Sequence, residues 1–327
     1  MWERFSYYGM RALLILFMTA TVAQGGLGFD VPRASAVYGL YTAMVYMLSL
    51  PGGWLADRFL GLRRAVLYGG ILIALGNYSL VVPSISFFYL GLILIVLGTG
   101  LLKPNVSAIV GRLYTTGDAR RDAGFSIFYM GINLGAFLAP LAVGYIGQRI
   151  DWHLGFGLAG LGMTLGIIQY LVGGKHLGEA GLHPAPAPSA AAQTRQQRQL
   201  RAGLGLVATL VAAPALLHAT GVVRVSALGL SRAFGLLLSL TVLLSFIGLL
   251  FFGDWTPLER KRLVAIAVLF VAAVLFWSVF EQAGSTLNLF AERSTDKQVL
   301  GFSFPASWFQ SLNALMIVTL APVFAWL

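Results

Sequence analysis

The chain alternates long apolar runs with short polar breaks, and the runs set its architecture. Ten of them approach or exceed the roughly 20 residues an α-helix needs to cross a bilayer. They cover 1–23, 36–56, 65–83, 87–111, 124–147, 154–173, 203–220, 228–252, 263–290 and 304–327. This predicts an all-α polytopic membrane protein with ten spanning segments. A long polar break falls between the sixth and seventh runs. There His183-Pro184-Ala185-Pro186-Ala187-Pro188-Ser189 precedes Gln193-Thr194-Arg195-Gln196-Gln197-Arg198. That composition suits a solvated linker between two bundles.

Composition narrows the class. Of 327 residues, 58% are hydrophobic and 10% charged, against about a quarter charged in soluble domains; mean hydropathy is +0.81. The net charge of +10 belongs to loops rather than to a nucleic-acid surface. With no cysteine, disulfides, thiol nucleophiles and thiolate metal sites are excluded. His153, His176, His183 and His218 are scattered and form no HExxH pattern, and there is no nucleophile elbow, which argues against an enzyme. No metal site and no cofactor are expected.

Lys and Arg orient the chain. One set of alternate loops holds Arg58, Arg63, Arg64, Arg112, Arg120, Arg121, Lys175, Arg195, Arg198, Arg201, Arg260, Lys261 and Arg262. The other holds Arg33, Arg149, Arg224, Arg232, Arg293 and Lys297, while Arg4, Arg11 and Lys103 lie inside spans. Thirteen against six places the N-terminus in the cytoplasm. The first run is expected to target the chain to the membrane itself.

Charges inside spans are costly and mark candidate sites. Glu3, Tyr7 and Arg11 recur at i, i+4 and i+8 with Arg4 and Tyr8 beside them, giving one polar stripe for a water-filled cavity. Headgroup snorkelling is the alternative, and Arg11 lies deep for it. Lys103, more than fifteen residues into its run and followed by Pro104, needs an anion, and Glu3 is the expected partner. The other reading ends the span at Lys103. Trp277, Glu281, Gly284 and Asn288 step by four, three and four, so they are expected on one face. Glu281 has no cation near it in sequence and suits a proton carrier, or else a structural ion pair. Tyr129 and Asn133 read equally as interhelical glue, and Tyr46 as packing or ligand contact. Gln310 and Asn313 add polar positions in the tenth run. The loop Gly52–Arg64, with Asp57, Arg58, Arg63 and Arg64, suits a tight cytoplasmic hinge or an ordinary basic loop.

These strings resemble a family. Glu3-Arg4-Phe5-Ser6-Tyr7-Tyr8-Gly9-Met10-Arg11 is similar to the first-helix signature ExxERFxYYG of the proton-dependent oligopeptide transporters, a branch of the major facilitator superfamily. Gly100–Asn105 resembles their helix-4 motif, Tyr129–Asn133 helix 5, Phe276–Gln282 helix 7 and Gln310–Asn313 helix 8, while the Gly52–Arg64 loop resembles the superfamily's latch. The resemblance runs from Met1 to Leu327. It implies a six-helix bundle over 1–173, a cytoplasmic linker over 174–202, two accessory helices over 203–252 and part of a second bundle over 253–327. The signature's first Glu would precede Met1 and the chain would stop after helix 8, so a fragment without helices 9 to 12 is expected.

The resemblance also implies a function: proton-coupled symport of di- and tripeptides into the cell by alternating access, in a monomer of the cell inner membrane. Proton coupling would fall to Glu3, Arg4, Lys103 and Glu281, with protons as coupling ion. Substrate would meet Tyr7, Tyr8, Arg11, Tyr46, Lys103, Asn133, Trp277, Glu281 and Asn313. Asp57, Arg58, Arg63 and Arg64 would form the conformational latch. A cationic-drug carrier would need an acidic cavity, against which Arg11 and Lys103 argue. A nitrate carrier would tolerate loss of the Glu3–Arg4 pair, which is intact. A non-transporting fragment is the remaining alternative.

Overall fold

The computed structural model describes residues 1–115, 117–220 and 226–326. Arg224, counted above with the outer loops, lies outside the described residues, as do the rest of 221–225 in the accessory segment and Leu327 at the end of the tenth run. Helix α1 (Trp2–Thr19) is the axis of the first bundle: every residue from Gly9 to Met18 is buried. It packs on α6 (Arg120–Arg149), α7 (Trp152–Gly173) and α2 (Val31–Met47). A short helix α3 (Ser49–Leu55) continues α2, and α4 (Leu62–Ser79) pairs with α5 (Ile85–Arg112). Gly69 and Gly76 of α4 face Gly98 and Gly91 of α5. A Cβ on Gly69 would stand 2.6 Å from the Gly98 carbonyl oxygen and one on Gly76 2.8 Å from that of Gly91. Only hydrogen fits there, which lets the two backbones touch.

The expected linker over 174–202 is helical in its second part. Helix α8 (Ala190–Ala219) begins inside it, because Ala, Gln and Arg are strong helix formers and the Ser189 hydroxyl accepts from the Ala192 N–H at 3.1 Å. The first part straps back onto the α3–α4 turn. Arg63 donates from Nε to the Ala180 carbonyl at 2.9 Å and also binds the Gly178 carbonyl, and the Ala185 N–H donates to the Asp57 carbonyl at 2.8 Å.

Helix α9 (Ala227–Phe251) rests on α2, and α10 (Pro257–Phe280) packs chiefly on α9. Neither has a buried residue, and apart from Arg232 in α9 and Glu259–Arg262 at the start of α10 both are apolar all round, as suits helices that meet hydrocarbon. The run 263–290, expected as one helix, breaks. A tight turn at Glu281–Gly284 and an off-helix Ser285 (φ −127, ψ −94) separate α10 from α11 (Thr286–Ser294). A two-residue hairpin, Gln298–Val299 with Phe302–Ser303, leads to α12 (Ser311–Trp326).

Among the described residues, six helical stretches are long and apolar enough to span: Ile85–Arg112, Arg120–Arg149, Trp152–Leu177, Ala227–Phe251, Pro257–Gly284 and Ala306–Phe324. The other four expected spans are also helical; α1 is set apart by Glu3, Arg4 and Arg11.

The last third docks on the first bundle from the middle of α1 and α6 to the C-terminal end of α6. Asn288 donates to the Ala12 carbonyl at 2.9 Å, the Trp308 indole to that of Leu141 at 3.1 Å and the Ser311 hydroxyl to that of Phe137 at 2.7 Å. Gln148 donates to Glu292 at 3.2 Å and Arg149 to Ser303 at 2.6 Å.

Candidate functional site

The break after α10 builds the centre of the site. A turn that leaves the helix frees backbone carbonyls that must find donors, and Arg11 supplies one to Glu281: its terminal nitrogen reaches the Glu281 carbonyl at 3.3 Å. The same nitrogen lies 2.6 Å from the Glu281 carboxylate oxygen Oε2, and Arg11 Nε donates to the Tyr38 hydroxyl at 2.7 Å. Arg11 is 5% exposed, so its charge is compensated almost wholly by these groups. Gly284 makes the approach possible. A Cβ there would overlap the Tyr38 hydroxyl and stand 2.5 Å from Arg11 Nε.

Tyr46 extends the centre towards α5. Its hydroxyl donates to the other Glu281 oxygen, Oε1, at 3.2 Å, and the Lys103 ammonium sits 3.7 Å over its ring. A cation on an aromatic face is stabilised by about 2 kcal/mol when desolvated. Glu3 does not pair with Lys103 as expected. It binds Arg4 Nε at 3.1 Å, because the two are adjacent on α1. Among the described residues no carboxylate lies within 4.0 Å of Lys103.

The remaining expected positions divide. Tyr7 is buried with its hydroxyl unpartnered among the described residues, and Tyr8 packs edge-on against its ring. Asn133 is buried but turns back onto its own helix, donating to the Tyr129 carbonyl at 3.0 Å; Tyr129 itself is exposed. Trp277 and Glu281 keep their i, i+4 relation, since the Glu281 N–H still donates to the Trp277 carbonyl, and the helix ends at Glu281; Trp277 packs edge-on against Phe276 and Phe280, half exposed. Asn288 is buried and ties α11 to α1 instead. Asn313 lies on an exposed side of α12.

In the expected latch, Asp57 reaches Arg112 at 3.8 Å with both about half exposed, a pair worth little. Arg63 holds linker carbonyls rather than a carboxylate, and Arg58 and Arg64 are exposed without an ion pair among the described residues.

Tyr38 and Gly284 as a contact point were missed as site residues. Tyr38 stands at i−3 to Tyr41 and i−8 to Tyr46 in a run rich in Tyr, a spacing that places them near one helix face.

The centre thus carries three cations, Arg4, Arg11 and Lys103, and two carboxylates, Glu3 and Glu281. A zwitterion suits it. A ligand carboxylate can replace Glu281 on Arg11 beside Lys103, and a ligand ammonium can take the carboxylate so released.

The sequence and the fold both have relatives among known proteins. Residues 63–327 match the sequence profile of PTR2, the POT family. The chain is 44% identical over 334 residues to the peptide transporter YePEPT of Yersinia enterocolitica subsp. palearctica serotype O:3, covering 100% of this chain and 65% of that protein. It is 38% identical to a di-/tripeptide transporter of Lactococcus lactis subsp. cremoris, covering 99% and 66%. A crystal structure of a peptide transporter POT in complex with sulfate superposes with a TM-score of 0.91 at 46% identity, over 99% of this chain and 65% of that one. The chain therefore spans about two thirds of the length of these relatives.

Proposed function

The chain belongs to the POT family, and on that premise we propose that it carries out proton-coupled symport of di- and tripeptides into the cell by alternating access. Its membership makes it a membrane-embedded protein with a transporter fold. The finer reading has ten spans of a major facilitator fold: a bundle over 1–173, the linker 174–202, accessory helices over 203–252 and part of a second bundle over 253–327. The N-terminus is cytoplasmic, the membrane is the cell inner membrane, the protein is a monomer, and no cofactor is needed beyond protons.

The observation that carries this reading is the Arg11–Glu281 ion pair, which joins the first bundle to the segment after α10. A proton on Glu281 cancels one partner and frees Arg11 for the carboxylate of a peptide, with Lys103 adding charge. The peptide ammonium is held by Glu281 when that group is ionised, and Tyr7, Tyr8, Asn133, Trp277 and Asn313 border the path. Glu3 and Arg4 repeat the arrangement lower on α1. Contacts between the halves gather at the end of Asn288, Gln148 and Ser311, which suits a state closed outside and open to the cytoplasm. The hinge of Asp57, Arg58, Arg63 and Arg64 would latch the alternative state.

Each elementary charge moved inward is worth about 2.3 kcal/mol per 100 mV, roughly a fifty-fold concentration at 1.4 kcal/mol per decade. The test is uptake of a labelled dipeptide by the full-length protein in proteoliposomes under an inward proton gradient. Accumulation that collapses with a protonophore is expected; uptake indifferent to the gradient overturns the coupling.

A further inference from the structure

Two buried hydroxyls beside the charged stripe invite a separate role. Tyr41 on α2 is 4% exposed and Tyr7 on α1 is 5% exposed. Both belong to one core cluster with Tyr38, and neither hydroxyl has a hydrogen-bond partner among the described residues. The same holds for Glu3 Oε1, the carboxylate oxygen turned away from Arg4. A buried polar atom without a partner costs about 1–3 kcal/mol, and a cluster of such atoms is where internal water is found.

Their position supplies the reason to keep them. Glu3 and Arg11 are eight residues apart on α1, roughly 12 Å at 1.5 Å per residue, far beyond one proton hop. Tyr7 stands on the same stripe midway between them. Tyr41 lies one turn from Tyr38, which accepts from Arg11, and it packs in the same buried cluster as Tyr7 of the stripe. The charged and titratable groups around this row are Glu3, Arg4, Tyr8 and Arg11 from α1, Tyr46 from α2, Lys103 from α5 and Glu281 after α10.

We propose that the Tyr41 hydroxyl, with Tyr7, holds internal water and relays protons between the Glu3 carboxyl and the Glu281 carboxylate. The inference rests on the transport reading above. In the step, Glu3 gives its proton to a water, which passes one of its own to the Tyr41 oxygen. The original Tyr41 proton moves on through a second water to Glu281. Phenol and waters end neutral, Glu3 is ionised, and protonated Glu281 lets go of Arg11. Tyr41 is a positioning residue for this transfer and need not touch peptide.

The experiment is Tyr41→Phe in the full-length protein, reconstituted and given labelled dialanine. Phe keeps the ring and removes only the hydroxyl. Proton-driven accumulation is expected to fall roughly ten-fold or more, the low side of what a positioned proton-transfer group supplies. Dialanine counterflow without a gradient should persist, and the melting temperature should match the parent's. A variant that accumulates dialanine as the parent does overturns the relay. So does equal loss of accumulation and counterflow, which would make Tyr41 a structural or binding residue. If the parent itself moves dialanine in neither mode, the transport reading falls first and the relay with it.

Discussion

Arg11 and Glu281 are 270 positions apart in the chain and 2.6 Å apart in space. Both the carboxylate and the backbone carbonyl of Glu281 face the guanidinium, so the pair also stabilises the turn that ends α10. One guanidinium thus serves a charge and a helix break together. Any event that neutralises Glu281 loosens the contact between α1 and the segment after α10.

The two halves of this pair should respond differently to substitution. Removing one partner of a buried pair commonly costs about 3–5 kcal/mol because the other charge is stranded. Arg11→Ala strands Glu281 and should lower the melting temperature clearly. It should also weaken binding of free peptides while sparing those with a blocked C-terminus, since the lost contact is to a carboxylate. Glu281→Gln keeps the shape and a hydrogen-bonding group, so it should be milder on stability. In uptake it should abolish accumulation along a proton gradient and keep part of peptide exchange. Equal weakening of blocked and free peptides by Arg11→Ala would make Arg11 structural.

Gly284 offers a more local test. The smallest possible addition, Gly284→Ala, places a methyl against Tyr38 and Arg11, so the Arg11–Tyr38 hydrogen bond of 2.7 Å must give way. Overpacking of this kind costs about 1–3 kcal/mol. The variant should fold, melt a few degrees lower and bind dipeptide at least several-fold more weakly by isothermal calorimetry. Unchanged affinity would show that the Arg11–Tyr38 contact is dispensable for the ligand site.

Much of this was legible in the chain, and the misses have physical causes. The expected spans are built mostly of helix because an apolar run in lipid must satisfy its backbone polar groups within itself. The stripe on α1 was readable because i, i+4 spacing is a property of one helix. The face drawn through Trp277, Glu281, Gly284 and Asn288 does not run on past Glu281, because that rule fails across a break, and nothing local stops α10 except Gly284 and Ser285. Lys103 was assigned to Glu3 by charge alone. Which anion lies nearest is a tertiary fact, and adjacency lets Arg4 take Glu3 first. The helix in the second part of the linker has another origin: Pro at 184, 186 and 188 is followed by helix-forming Ala and Gln, and the average composition hides the switch.

The accessory segment should be separable from the site. Helix α9 leans on α2, but the contacts that build the centre come from α1, α2, α5 and Glu281. Deleting 203–252, with a flexible linker from Arg201 to Arg260, should therefore leave dipeptide binding within a few-fold of the parent while lowering the melting temperature. Complete loss of binding in a folded deletion would show that these helices line the cavity.

Lys103 is the cation for which the two accounts, structural and functional, diverge most sharply. It sits deep in α5, where Pro104 follows and removes a backbone N–H, with its ammonium 3.7 Å over the Tyr46 ring. If its role were only to pack there, losing it would cost about 2 kcal/mol of cation–π stabilisation and leave coupling alone. If its charge helps Arg11 and Glu281 respond to a proton, Lys103→Ala should abolish proton-driven accumulation while the protein still folds. Two further variants separate these accounts. Lys103→Arg keeps a cation on the ring, so it should retain much of the accumulation. Tyr46→Phe keeps the ring but deletes the hydroxyl that donates to Glu281, so Lys103 stays seated while the link to the carboxylate is cut. Coupling impaired in both Lys103→Ala and Tyr46→Phe, with Lys103→Arg largely active, would place the function in the line Lys103–Tyr46–Glu281. Normal accumulation by Lys103→Ala, in protein that expresses and melts like the parent, would remove Lys103 from the coupling machinery.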